Sequence, residues 1–143
     1  MGFNTQWKRA STSYPRKGEA GPIESRELEE ELRTVVKGEV RFDPGSRGIY
    51  STDASNYRQP PIGVVLPTDE EDVIQTVAVC RRRSVPVLAR GGGTSQAGQC
   101  CNVAVVLDTS KHMNHLLALD PEARFADVQP GTNLDVLRNA AER

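Results

Sequence analysis

A chain of 143 residues, 37% hydrophobic and 26% charged, predicts about one globular domain with enough apolar material for a core. Eighteen basic against nineteen acidic residues leave a formal charge of −1, which excludes a bulk electrostatic case for nucleic acid or an anionic membrane surface. No stretch reaches the roughly 18 apolar residues of a membrane span, and three cysteines, an odd number, make a poor disulfide framework.

Residues 1–22 are polar, carry Pro15, Gly18, Gly21 and Pro22, and show neither helical nor strand periodicity. They read as a flexible leader in which Trp7 has no structural task. The leader has no apolar segment of a secretory signal. Gln6 occupies the position where a myristoylation signal needs Ser or Thr, so the expected location is cytoplasmic. Ser25 is a candidate N-cap for a helix over SRELEEELRTVVKG, with Leu28, Leu32, Val35 and Val36 on one face and Lys37-Gly38 at its end. The following VRFDPGSRGIYSTDASNYRQPP reads as an ordered loop with short extended pieces.

Residues Ile62–Pro67 form an apolar strand. Thr68-Asp69-Glu70-Glu71 is a capping-box pattern that opens a helix. Helical periodicity puts Val73, Ile74, Val77 and Ala78 on one face, and Arg81-Arg82-Arg83 ends it where the helix dipole favours positive charge. Pro86–Arg90 is the next strand. Val103–Asp108 is another, apolar enough to be buried on both faces. His115–Leu119 and Ala123–Gln129 pair as a hairpin across Asp120-Pro121-Glu122, and a last helix runs from Thr132 with Leu134, Leu137 and Ala141 on one side. That helix meets no Gly or Pro terminator before Arg143, so the chain is expected to be truncated there.

The chemistry is concentrated in RGGGTSQAG, Arg90–Gly98. Three successive glycines let another molecule approach the main chain and let successive N–H groups converge on one point. Such a concave set of donors binds phosphate oxygens, and Thr94 and Ser95 add hydroxyls. The loop has no lysine, so it lacks the group with which a P-loop reaches a nucleoside triphosphate. Gly91, Gly93 and Gly98 match the dinucleotide fingerprint only loosely, and a strand rather than a helix follows, which disfavours a Rossmann domain.

From about Arg47 onward, the succession of segments resembles the FAD-binding domain of PCMH-type flavoproteins, the vanillyl-alcohol oxidase superfamily. It runs Tyr50–Ser55, Gly63–Val73, Pro86–Arg90, RGGGTSQAGQ, Asn102–Asp108 and Asp127–Gly131. Within the superfamily, TDAS and the AGQ after the glycines are most similar to the glycolate/D-lactate dehydrogenase-like branch. A flavin reductase of cell-wall sugar nucleotide synthesis is a rival of the same fold. The resemblance implies an α+β fold, with a small mixed sheet flanked by helices forming the N-terminal part of a PCMH-type domain. It implies a leader over 1–22, a helix and ordered loop over 23–56, and the FAD-binding domain over 57–143. It implies that Arg90, Gly91, Gly92, Gly93, Thr94 and Ser95 form the diphosphate loop, with Gly98 and Gln99 closing it. Pro130 and Gly131 form a second flavin-contacting turn, and Pro67 the turn near the adenine end. Thr94 stands where some members carry a histidine bonded to the flavin, so the implied FAD is non-covalent. The implied activity is oxidation of a 2-hydroxy acid by hydride transfer to FAD, with no catalytic residue in this chain. A catalytic cap and an iron–sulfur module are expected on a continuation or a partner chain. The rival reading is a non-catalytic piece that binds FAD only with its second half.

Other residues have plainer readings. Cys100-Cys101 lack redox C-x-x-C spacing and read as small fillers. His112 and His115 lack a third metal ligand. Asp53 in TDAS reads as a cap of its own backbone.

Overall fold

The computed structural model describes residues 22–142, and the expected leader up to residue 21, Trp7 included, lies outside the described residues. The chain runs through α1 (Pro22–Val35), β1 (Glu39–Arg41), α2 (Pro44–Ile49), β2 (Gly63–Leu66) and α3 (Glu70–Arg82). It continues through β3 (Val87–Arg90), β4 (Val105–Asp108), β5 (Leu116–Asp120), β6 (Phe125–Val128) and α4 (Leu134–Ala141). Four strands form one mixed sheet in the order β1-β2-β4-β3, with β1 antiparallel to β2 and the other pairs parallel. Strands β5 and β6 make a separate antiparallel hairpin. This small mixed sheet with flanking helices is the α+β architecture expected from the sequence.

The two inner strands explain why their sequences carry no polar alternation. β2 reads GVVL, β4 reads VVLD, and every residue of both is buried. On one face, Val65, Val105 and Leu107 meet Leu28, Leu32 and Val36 of the α1 region and Val79 and Cys80 of α3. On the other, Val64, Leu66 and Val106 meet Tyr50 and Leu88. Strands covered on both faces read as continuous apolar runs. Edge strand β3 has only half-buried and exposed residues.

Four details differ from the sequence reading. Helix α1 begins at Pro22, so Ser25 lies inside it rather than at its cap. The ordered loop has β1 as one of its short extended pieces but also holds the helix α2, whose Asp43 accepts the Ser46 amide while Pro44 fills the first helical position. The cap of α3 is Asp69, which accepts the Asp72 amide at 3.0 Å, rather than Thr68. The hairpin turn extends to Arg124, which has a positive φ, because Asp120 pairs with Phe125 and its carboxylate accepts the Ala123 amide.

The apolar face of α3 turns only partly inward, with Val73 against the core. Asp72, Thr76, Val79 and Cys80 point inward, while Ile74 and Val77 are 57% and 44% exposed. The cause is Asp72. Its fully buried carboxylate accepts the Lys37 amide at 2.8 Å, the Gly38 amide at 3.0 Å, and the amide and hydroxyl of Thr68, each at 2.8 Å. Buried amides must find acceptors, so the helix turns its acid, not Ile74, toward the α1–β1 connection. Arg82 and Arg83 end α3 as expected and also bind Glu31 of α1.

Candidate functional site

Strands β2, β4 and β3 run parallel, so Pro67, Thr109 and Gly91, the residues that follow them, share one rim of the sheet. In open sheets with parallel strands this C-terminal rim is where ligands collect. The glycine loop leaves the rim from the edge strand. The chain returns to it after β6, where the Gly131 amide donates to the Met113 carbonyl at 2.8 Å. A Cβ on Gly131 would lie 2.7 Å from the Thr109 carbonyl carbon and 2.8 Å from the Met113 oxygen. That approach between main chains requires glycine. Gly131→Ala is therefore expected to lower stability by about 2 kcal/mol, the cost of forcing atoms into a filled space, as read by thermal melting.

Two hollows meet at this rim. A polar one of about 540 Å³ is lined by Gly91, Gly92, Ser110, Asn114, Pro130, Gly131, Thr132, Asn133 and Val136. None of these is acidic. Asn133 is also the N-cap of α4, accepting the Asp135 amide at 2.8 Å, so the positive end of that helix borders the hollow. A larger, mostly apolar groove of about 690 Å³ runs from Val73 and Ile74 of α3 past Ala89, Arg90 and Leu107 to Leu117, Val128 and Pro130. Gly91 and Pro130 line both.

The glycines test what the polar hollow fits. A Cβ on Gly91 would meet no protein atom within 4 Å, and one on Gly92 would meet only the Thr94 methyl at 3.7 Å. Neither has a positive φ. Nothing in the chain's own packing forbids side chains there. Their absence leaves a cradle open beside main-chain donors and a helix N-terminus, a setting suited to a diphosphate.

Arg90 is placed differently. Its guanidinium lies 5.2 Å from the centre of the Tyr50 ring, a cation–π distance, and Nη1 donates to the Cys100 carbonyl at 3.1 Å. The Tyr50 hydroxyl donates to Asp108 at 2.6 Å. The other Asp108 oxygen accepts the Ser110 amide and hydroxyl. Burial, and then the bond to Asp108, push the Tyr50 phenol up to about 12, so it is a fixed donor at any physiological pH. Asp53 caps Ser55 as expected, through the Ser55 amide and hydroxyl, and these bonds hold its carboxyl below the usual range.

Of the residues singled out in the sequence, Arg90, Gly91, Gly92, Pro130 and Gly131 line the hollows. Gly93 follows at the loop's turn with a positive φ. Thr94 is exposed. Ser95 and Gln99 are joined side chain to side chain, and the Ala97 amide donates to the same Gln99 oxygen, so this part of the loop closes on itself. Gly98 lies against Tyr57. Pro67 is fully buried and lines neither hollow. Sequence reasoning missed Ser110, Asn114 and Asn133. The Asn133 cap was legible as an N-cap residue ahead of the last helix. Among the described residues no cluster of metal-ligating side chains occurs. His112 lies 3.5 Å from Glu39, and His115 meets Gln129 at 2.8 Å. No described helix is long and apolar enough to cross a membrane.

Residues 61–143 match the FAD binding domain family. D-2-hydroxyglutarate dehydrogenase of Pseudomonas putida is 37% identical over 117 residues, 80% of this chain and 12% of the relative. Glycolate oxidase subunit GlcD of Bacillus subtilis is 34% identical over 120 residues, 80% of this chain and 25% of the relative. The chain thus spans an eighth to a quarter of these relatives. Among solved structures, p-cresol methylhydroxylase with substrate bound superposes with a TM-score of 0.68 at 19% identity, over 85% of this chain and 25% of that one. That likeness is one of fold.

Proposed function

This chain belongs to the FAD binding domain family, and on that premise we propose that its glycine loop and Pro130–Gly131 turn hold FAD non-covalently within an oxidoreductase acting on a 2-hydroxy acid. The observation that carries the placement is the open cradle at Gly91 and Gly92, where a Cβ would meet no steric barrier in the chain. Arg90, Gly91, Gly92, Gly93, Thr94 and Ser95 form the diphosphate side, and the Ser95–Gln99 clasp with Gly98 closes the loop. Pro67 contributes by setting the turn after β2 rather than by contact.

When bound, the flavin supplies a hydride acceptor that no side chain can replace. The chain's own contribution is binding and orientation. Main-chain donors and the α4 N-terminus neutralise the diphosphate, and the apolar wall of Ala89, Leu107 and Val128 keeps water from one side of the groove. Thr94 has no imidazole to form a histidyl link. No residue here is assigned the substrate's proton. That group, a cap domain and an iron–sulfur module belong to the whole protein or a partner chain, and residues 57–143 form the FAD-binding unit. The 2-hydroxy acid class is supported by the names of the relatives, and a cytoplasmic location by the odd count of three cysteines.

A second reading has one observation behind it. Ile74 and Val77 of α3 and Leu134 and Val136 of α4 are 57%, 44%, 76% and 55% exposed, as expected of a unit that binds FAD firmly only once another segment covers exposed apolar residues. The test uses the whole protein loaded with FAD. Anaerobic addition of D-2-hydroxyglutarate, glycolate or D-lactate is expected to bleach the flavin band. Bleaching by a chemical reductant but by none of the three would contradict the substrate class.

A further inference from the structure

We propose that the segment Tyr50–Tyr57 is a positioning clamp that fixes both ends of the glycine loop, with Arg90 as its brace. The inference rests on reading that loop as the FAD cradle and assigns these residues a role beyond it.

Six contacts carry it. The Ala54 amide donates to the Gly93 carbonyl at 3.1 Å, which holds the loop where it turns away from β3. At the far end, the Cys100 amide donates to Asp53 at 3.2 Å. The Cys100 carbonyl accepts from Arg90, so one peptide stretch is gripped on both its donor and its acceptor. The Tyr57 ring lies against Gly98, where a Cβ would come within 2.8 Å of it and where φ is +79°. Arg90 links the two ends, because its guanidinium sits over the Tyr50 ring, and Tyr50 is tied to Asp108 at the end of β4.

The chemistry of Asp53 suits this task. One carboxylate oxygen accepts the amide and hydroxyl of Ser55 while the other is left for Cys100. The carboxylate is thereby oriented by its own turn before it reaches the loop. A glycine-rich segment loses much conformational freedom when it orders. Main-chain donors bind a ligand tightly only when that loss has already been met in the free protein. The clamp supplies that ordering from a part of the chain that touches neither hollow, apart from Arg90. Tyr50, Asp53 and Tyr57 are therefore positioning residues, not cofactor ligands.

The experiment measures hydrogen–deuterium exchange of residues 91–100 without FAD, FAD affinity, and thermal melting for the whole protein and for Asp53→Ala and Tyr50→Phe. Asp120→Ala, which loosens only the β5–β6 turn, is the control. Asp53→Ala is expected to speed loop exchange about tenfold and weaken FAD binding roughly 10–30-fold. Exchange in β2 and β4 and the melting temperature should stay near wild type. Tyr50→Phe keeps the ring under Arg90 and is expected to show a smaller change of the same pattern. Unchanged loop exchange in both variants would overturn the clamp, as would exchange rising equally across the sheet. Should the wild-type protein bind no FAD, the cradle reading fails, and loop exchange alone still decides whether the clamp exists.

Discussion

Asp72→Ala is expected to destabilise the domain by about 3 kcal/mol, because it strands buried main-chain donors, each worth roughly 1–3 kcal/mol when left unsatisfied. In a domain of this size that is a fall of about 10–15 °C in melting temperature. Three amides, those of Lys37, Gly38 and Thr68, lose their acceptor at once. Asp72→Asn should be milder, since one amide oxygen remains to accept while its NH2 faces other donors. The pH dependence has a definite sign. Burial alone would raise the Asp72 carboxyl, but the bonds from Thr68, Lys37 and Gly38 outweigh it and pull it below the ordinary value. A group depressed in the folded state contributes stability above its unfolded pKa of about 4 and loses it as pH falls through the folded value. Wild-type melting should therefore decline below about pH 4, and the Ala variant should decline less over the same range. Equal acid sensitivity in the two would remove Asp72 from this role.

Gly92→Asp should have the opposite profile, with fold intact and binding lost. The new Cβ would meet only the Thr94 methyl at 3.7 Å, so the free protein should melt within about 1 kcal/mol of wild type, as ordinary surface substitutions do. Its carboxylate would enter the hollow shared with Pro130 and Asn133. One negative charge about 5 Å from another costs about 3 kcal/mol at an effective dielectric of about 20. FAD affinity is then expected to fall by at least about 100-fold. Titration of both proteins with FAD, followed by flavin fluorescence, measures this. An unchanged affinity in a folded Gly92→Asp protein would exclude the polar hollow as the diphosphate site.

The parts legible in the sequence are those whose cause is local. The runs GVVL and VVLD announce the two inner strands because burial on both faces leaves no room for polar alternation. Asp120-Pro121 announces the hairpin, since an Asp side chain closes its own turn, here onto Ala123. Of the three glycines, Gly91 and Gly92 answer no packing need, whereas Gly93 takes a positive φ with Arg90 packed against it. The short helix α2 was obscured by Gly45 and Gly48, although Asp43-Pro44 is a readable cap and first-turn pair.

What stayed hidden depends on distant partners. Periodicity treats Asp72 as a surface residue, but its acceptors' partners at Lys37 and Gly38 lie 35 and 34 positions earlier, and they set the rotation of α3. Likewise the bond from Tyr50 to Asp108 spans 58 positions. The grip of Asp53 on Cys100 spans 47. Local capping of Ser55 was predictable, and the second use of the same carboxylate was not. The engagement of the Arg90 guanidinium with Tyr50 and Cys100 is equally non-local.

On the proposed reading, FAD places its diphosphate between the glycine loop and the turn that precedes α4. The most direct measurement is an amide-exchange footprint of the whole protein with and without saturating FAD. Slowed exchange is expected at Gly91–Ser95 and at Gly131–Asn133, with little change in α1. Firm FAD binding that protects other segments while leaving both of these unchanged would contradict it.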